Sequence, residues 1–163
     1  MGYSHYWSFN EAPRGKAKEL EATYQKAILE CQKVIRVLAD ENRSQLGSSF
    51  MSSYSAHCKP GEYGGIKLNG SRGNDCEDFI LREHYNQNDS SNFCKTNRNY
   101  YDDAVMACLL ILKYRLGDAI TVHSDGDSDE WQPIADRISE ILRRKIKVPD
   151  TIRANNVRQL KKA

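Results

Sequence analysis

What the chain lacks narrows its class before any motif is read. None of its apolar runs reaches about 18 residues, so a membrane-spanning helix is excluded. The stretch Met1–Asn10 is aromatic and polar, not basic and then apolar, so no signal peptide is expected. Five cysteines (Cys31, Cys58, Cys76, Cys94, Cys108) form an odd set with no CxxC pair, which points to reduced thiols and a cytoplasmic location. HExxH, P-loop, GxGxxG and GxSxG motifs are absent, and with them the support for metalloprotease, NTPase, dinucleotide-fold and common hydrolase classes. Asp125-Gly-Asp127-Ser-Asp129 opens like a calcium loop, but Glu130 and Asp136 stand where such a loop needs glycine and glutamate. A turn into an acidic helix start explains it better, so no metal and no cofactor are expected. No internal repeat is visible.

What is present is an ordinary globular composition, 39% apolar and 28% charged over 163 residues, enough for one domain with a real core. The formal charge of +2 is unevenly spread. From Arg143 onward eight basic residues face one acid, leaving 16 basic against 21 acidic in the rest. Residues 1–148 are therefore expected to form one domain, with a long Ser/Gly-rich loop over 42–65 and a basic tail over 149–163. Such a tail can make weak nucleic-acid contacts or remain solvated.

Tyr3–Phe9 alternates like a strand. Leu20, Tyr24, Ala27, Ile28, Cys31, Val34, Ile35 and Leu38 give the stripe of a helix over Ala12–Asp40, with Pro13 in its first turn. Ile66–Asn69 and Asp78–Arg82 are expected as a hairpin, and His84–Asn92 as polar loop. An apolar helix over Tyr100–Leu116 ends at Gly117, a strand covers Ala119–Ser124, and a third helix capped by Ser128 or Asp129 runs to Pro149. The order predicts an α+β fold, a ferredoxin-like βαββαβ antiparallel sheet with an additional C-terminal helix.

That topology would gather Tyr3/His5, the segment Phe93–Asp102 and Ser124-Asp125-Gly126 at one end of the sheet. Phe93–Asp102 opens the most apolar helix, where unpaired backbone N–H groups, Lys95 and Arg98 together favour an anion. The competing arrangement is an internal ion pair of Lys95 or Arg98 with Asp125. Cys94 beside Lys95 reads as a buried thiol before it reads as a nucleophile.

Gly2-Tyr3-Ser4-His5-Tyr6-Trp7, Asn69-Gly70 followed by Glu77-x-Phe79, Phe93-Cys94-Lys95-Thr96-x-Arg98-x-x-Tyr101-Asp102, and Ser124-Asp125-Gly126 followed by Trp131 occur in this order. Over roughly residues 2–135 the chain resembles a widespread, largely uncharacterised family of small bacterial, phage and fungal proteins. That family typically has a proline where Tyr100 stands. The resemblance implies a shared pocket that includes Lys95, Arg98, Tyr101, Asp102, Ser124 and Asp125, and no established activity.

The leading expectation is a small domain binding an anionic, nucleotide-like molecule: Tyr3 and Trp7 stack a base, Lys95, Thr96 and Arg98 take phosphate, and Tyr101, Asp102, Ser124 and Asp125 complete the site. In a viral setting it would sequester a nucleotide signal in the host cytoplasm. A metal-independent phosphodiester or nucleotide hydrolase is the second expectation, with His5 and His123 as acid–base groups. An interaction module using the basic tail for protein or nucleic acid is the third. The exposed sheet face, with Tyr6, Lys67 and His123, lacks the aromatic pattern of an RNA-binding sheet.

Overall fold

The alternation of Tyr3–Phe9 does produce a strand, β1 (Ser4–Phe9), and it becomes the middle of the main sheet. The computed structural model describes residues 2–46, 65–70 and 73–154. After β1 come α1 (Ala17–Leu46), β2 (Ile66–Leu68), β3 (Phe79–Leu81), β4 (Ser91–Lys95), α2 (Asp102–Leu116), β5 (Ile120–Ser124) and α3 (Ser128–Leu142). The architecture is α+β with antiparallel pairing throughout the described strands.

β1 pairs antiparallel with β4 on one side and β5 on the other. Its two neighbours therefore run the same way, and α2 carries the chain from one to the other across the sheet. This is a βαβ crossover with β1 inserted between its strands. Trp7 and Phe9 point from β1 into the core, where Tyr24, Ala27, Ile28, Cys31, Val34, Ile35 and Leu38 of α1 meet them. α2 is buried on nearly all sides, as its unbroken apolar run requires. Gly117, with φ 54°, caps its end.

The four-stranded ferredoxin-like sheet is corrected by this pairing. β2 and β3 form the expected hairpin but bond only to each other, as a separate two-stranded sheet. The additional strand is β4, in a stretch that reads as loop and helix approach. Its five residues, SNFCK, bury only Cys94, so no period of two announces it. Backbone pairing with β1 creates the strand; its own hydrophobicity does not.

Smaller differences have local causes. α1 begins at Ala17 because Pro13 sits in the preceding turn, accepting from Lys16 N–H. α3 ends at Leu142, where Arg143 turns left-handed (φ 53°), well before Pro149. Part of the expected tail belongs to the fold. Ile152 is buried, Thr151 Oγ1 donates to Val122 O, and Arg153 bridges to Asp127 beyond β5. Most of the 42–65 loop, with His57 and Cys58, and the final residues 155–163 lie outside the described residues. Among those described, no helix is long and apolar enough to cross a membrane.

Candidate functional site

The register decides which side chains meet. His5 faces Cys94 on β4 and Ser124 on β5, while Tyr6 faces Phe93 and His123. Residues directly opposite in an antiparallel pair share a face. His5 and Ser124 therefore look inward under the helices, and Tyr6, Phe93 and His123 look outward. β4 ends, α2 starts, β1 starts and β5 ends at the same edge of the molecule, so the three polar segments converge although the expected sheet does not form.

Inside that edge His5 is fully buried and holds a partner at each ring nitrogen. Nε2 lies 2.6 Å from Asp102 Oδ1 and Nδ1 lies 2.8 Å from Ser124 Oγ. A ring nitrogen this close to a carboxylate carries the proton, so in the neutral ring Nδ1 is left to accept the Ser124 hydroxyl. Asp102 is the first residue of α2, where the helix dipole favours its charge, and Thr96 donates to the same Oδ1 at 2.5 Å. Tyr3 and Trp131 close around the imidazole edge-on, with centroids at 5.0 and 5.1 Å.

A tight turn links β4 to α2. Asn99 N–H donates to Thr96 O at 3.0 Å, and both central residues, Asn97 (φ 56°) and Arg98 (φ 55°), are left-handed. Asparagine tolerates this; arginine does so at roughly 1–2 kcal/mol. Two contacts offset the strain. The Arg98 guanidinium stacks 3.8 Å from the Tyr3 ring centre, and its Nε donates to Glu130 Oε1 at 2.9 Å.

On the β5 side Gly126 N–H donates to Ser124 Oγ at 2.9 Å. A side chain at Gly126 would place Cβ 2.3 Å from the Tyr3 hydroxyl, so only glycine fits there. Burial first, and then the Asp102 charge, push the pKa of the Tyr3 hydroxyl up and keep it protonated. Asp127 caps α3, accepting from Asp129 and Glu130 N–H, which accounts for the acidic run after Ser124.

Several expected roles are corrected by this placement. Tyr3 and Trp7 are 3% and 2% exposed, Trp7 packs on Phe79, and neither offers a face to a base. Tyr101 is a buried clamp, donating to Glu77 O at 2.7 Å. Thr96 is committed to Asp102, and Asp102 to His5, so neither is free for phosphate. The ion pair with Asp125 does not form: Arg98 pairs with Glu130, and the Asp125 carboxylate accepts from Ser4 N–H at 2.9 Å. His5 and His123 lie on opposite faces and cannot act as a pair. Burial first, and then the Glu77 charge, lift the Cys94 thiol to about 12, so it is no thiolate nucleophile. Lys95 is half-buried, crosses over Gly2 and has no carboxylate partner among the described residues.

The outer face carries Tyr6 and His123 as expected, but Lys67 lies on β2 in the separate sheet, and Phe93 is the ring that sequence reasoning missed. Phe93 (62% exposed), Tyr6 (42%) and the exposed His123 form one row across three strands on the outer sheet face. Lys95 stands two residues beyond Phe93 on the same face. Recognising β4 would have revealed the row; without that strand Phe93 belongs to no pattern. A cleft of about 230 Å³, lined by Trp7, Ile80, Asn92 and Phe93 among others, borders this row, and larger ones lie elsewhere. One of about 580 Å³, lined by Phe9, Glu21, His84 and Tyr85, is at the opposite end of β1. No group of residues suited to a metal ion occurs among the described residues. No family model, curated protein or solved structure matches the chain.

Proposed function

We propose that this chain binds an anionic, nucleotide-like small molecule, and that the ligand lies on the outer face of the main sheet. The observation that carries this reading is the exposed Phe93–Tyr6–His123 row beside Lys95, which has no carboxylate partner among the described residues. Rings fixed on a sheet stack a base with little entropy left to lose, each such contact contributing about 1–3 kcal/mol. Neighbouring strands are about 4.8 Å apart, so a flat base spans two ring positions. The Lys95 ammonium serves as a point charge for phosphate. Stacking thus moves from the buried Tyr3 and Trp7 to Phe93 and Tyr6, while Lys95 keeps its expected part. Asp125 on the same edge opposes a highly charged ligand, so a monophosphate or cyclic phosphate fits better than a triphosphate.

Calorimetric titration with mono-, tri- and cyclic nucleotides tests this. Phe93→Ala and Lys95→Ala are each expected to weaken binding roughly tenfold, about 1.4 kcal/mol. An absence of heat with every nucleotide at millimolar concentration, or affinity unchanged in both variants, would sink the proposal.

A further inference from the structure

We infer a second site on the inner face of the same sheet, in which Ser124 is a nucleophile, His5 its general base and Asp102 the carboxylate that positions the ring, acting on small neutral carboxylic esters. It is independent of the ligand proposed for the outer face.

The geometry carries it. A serine hydroxyl, an imidazole and a carboxylate lie in series, with gaps of 2.8 and 2.6 Å, each within hydrogen-bond reach. Three separate elements, β5, β1 and α2, supply them, and this order of roles is what defines a serine-hydrolase relay whatever the fold. The ring is turned end for end relative to the common assignment, with Nε2 toward the carboxylate and Nδ1 toward serine. Either nitrogen can perform either task, because both belong to one conjugated ring. Thr96 fixes the carboxylate from behind, and Tyr3 and Trp131 fix the ring plane. Ser124 is only half-buried, and Asp125 after it is exposed, so the hydroxyl lies at the rim and not deep in the core.

One neutral donor, the Gly126 N–H, is aimed at Ser124 Oγ, and the Tyr3 hydroxyl lies beside that glycine. When Oγ adds to a carbonyl, the oxyanion forms two bonds away from Oγ, on the rim where these groups lie. The absence of any side chain at Gly126 keeps that N–H beside the Tyr3 hydroxyl. Substrate charge is selected by the surroundings. Asp125, Asp127 and Glu130 all follow within six residues of Ser124. Glu130 Oε2 accepts from Asp127 N–H at 3.1 Å, close beside Gly126. Such carboxylates repel phosphate and tolerate a neutral ester. In the acylation step the Oγ–C bond forms as the hydroxyl proton passes to His5 Nδ1. The ester C–O bond then breaks, the alcohol leaves with that proton, and water later releases the acid by the same route in reverse.

An alkyl fluorophosphonate tests the nucleophile directly: Oγ–P forms, P–F breaks, fluoride leaves, and the serine proton goes to His5. The expected result is one adduct per chain, mapped by mass spectrometry to Ser124 and lost in Ser124→Ala. Asp102→Asn should slow labelling roughly 100-fold. It should also change the shape of the pH profile of the rate, which a purely structural carboxylate would leave alone. The titratable groups against the ring among the described residues are Asp102 from α2, Tyr3 from the segment before β1 and, opposite it on β4, the Cys94 thiol. Ser124→Ala removes one hydroxyl at the rim and keeps the test standing if Asp102→Asn does not fold. A folded wild-type chain without an adduct on Ser124 overturns the inference. So does labelling no faster than that of the exposed Ser91, or a rate unchanged in a folded Asp102→Asn.

Discussion

His5 and His123 are the same residue type one register step apart on adjoining strands, His5 facing Ser124 and His123 facing Tyr6. On the inner face the imidazole is fully buried and both nitrogens are engaged, one by a carboxylate and one by a hydroxyl. On the outer face the imidazole is exposed in a row of rings. The inner side is a closed polar network, which low polarity makes strong when complete and costly when one member is removed. The outer side is an open apolar surface, where single side chains contribute little to folding and remain available to a ligand. The difference between the two histidines therefore arises from strand register and burial.

The widest separation should come from cutting the inner network. Asp102→Ala leaves the buried ring N–H and the Thr96 hydroxyl without their acceptor, and each buried donor left unsatisfied costs about 1–3 kcal/mol. His123→Ala should change stability by no more than about 0.5 kcal/mol, as expected of an exposed site. Urea unfolding of the two variants measures both. A difference between them below about 1 kcal/mol would remove the distinction between the faces.

A smaller effect sharpens it. Thr96→Val keeps the volume and removes only the hydroxyl that donates to Asp102 Oδ1. A hydrogen bond to a charged acceptor is worth about 1.5–3 kcal/mol, and that is the expected loss. The same denaturation experiment checks it, and a loss under about 0.5 kcal/mol would show that His5 alone holds the carboxylate.

The convergence of these residues was legible in the sequence although the sheet was not. Placing Tyr3/His5, Lys95–Arg98 and Ser124–Gly126 at one end needs only that β1 starts where α2 starts and β5 ends. That holds with β4 present or absent. The hairpin and the three helices were likewise readable, from turn chemistry and from apolar spacing. β4 was hidden because its pattern is supplied by its partner: one buried residue in five carries no period. With β4 went the register that sets His5 against Ser124, the outward row through Phe93 and the capture of Arg98 by Glu130. Burial was the other blind spot. Tyr3 and Trp7 look like stacking platforms in a polar N-terminus, and become buried because Arg98 covers the Tyr3 ring and Phe79 of the hairpin packs on Trp7.

A third histidine combines the exposure of His123 with a carboxylate partner like that of His5. His84 is exposed yet keeps Nδ1 2.8 Å from Glu21 Oε1, at the opposite end of β1. The hydrogen bond to Glu21 raises its pKa above the ordinary 6.5, against a small opposing effect of desolvation. For Glu21, burial acts to raise the pKa, but the His84 ring, the Tyr85 N–H and the Gln25 amide together outweigh it and hold the carboxyl below 4.5. The signs follow. The raised His84 contributes stability fully below its unfolded value and loses it as pH rises through its folded one. The lowered Glu21 contributes above its unfolded value and loses it as pH falls through its folded one. The stability difference between wild type and His84→Ala should thus be largest between the ordinary values of 4.5 and 6.5 and decline on both sides. Thermal unfolding across pH measures it. The difference should stay small throughout, because an exposed pair is screened by water. A difference flat with pH would mean that the Glu21 carboxylate does not tune the His84 imidazole.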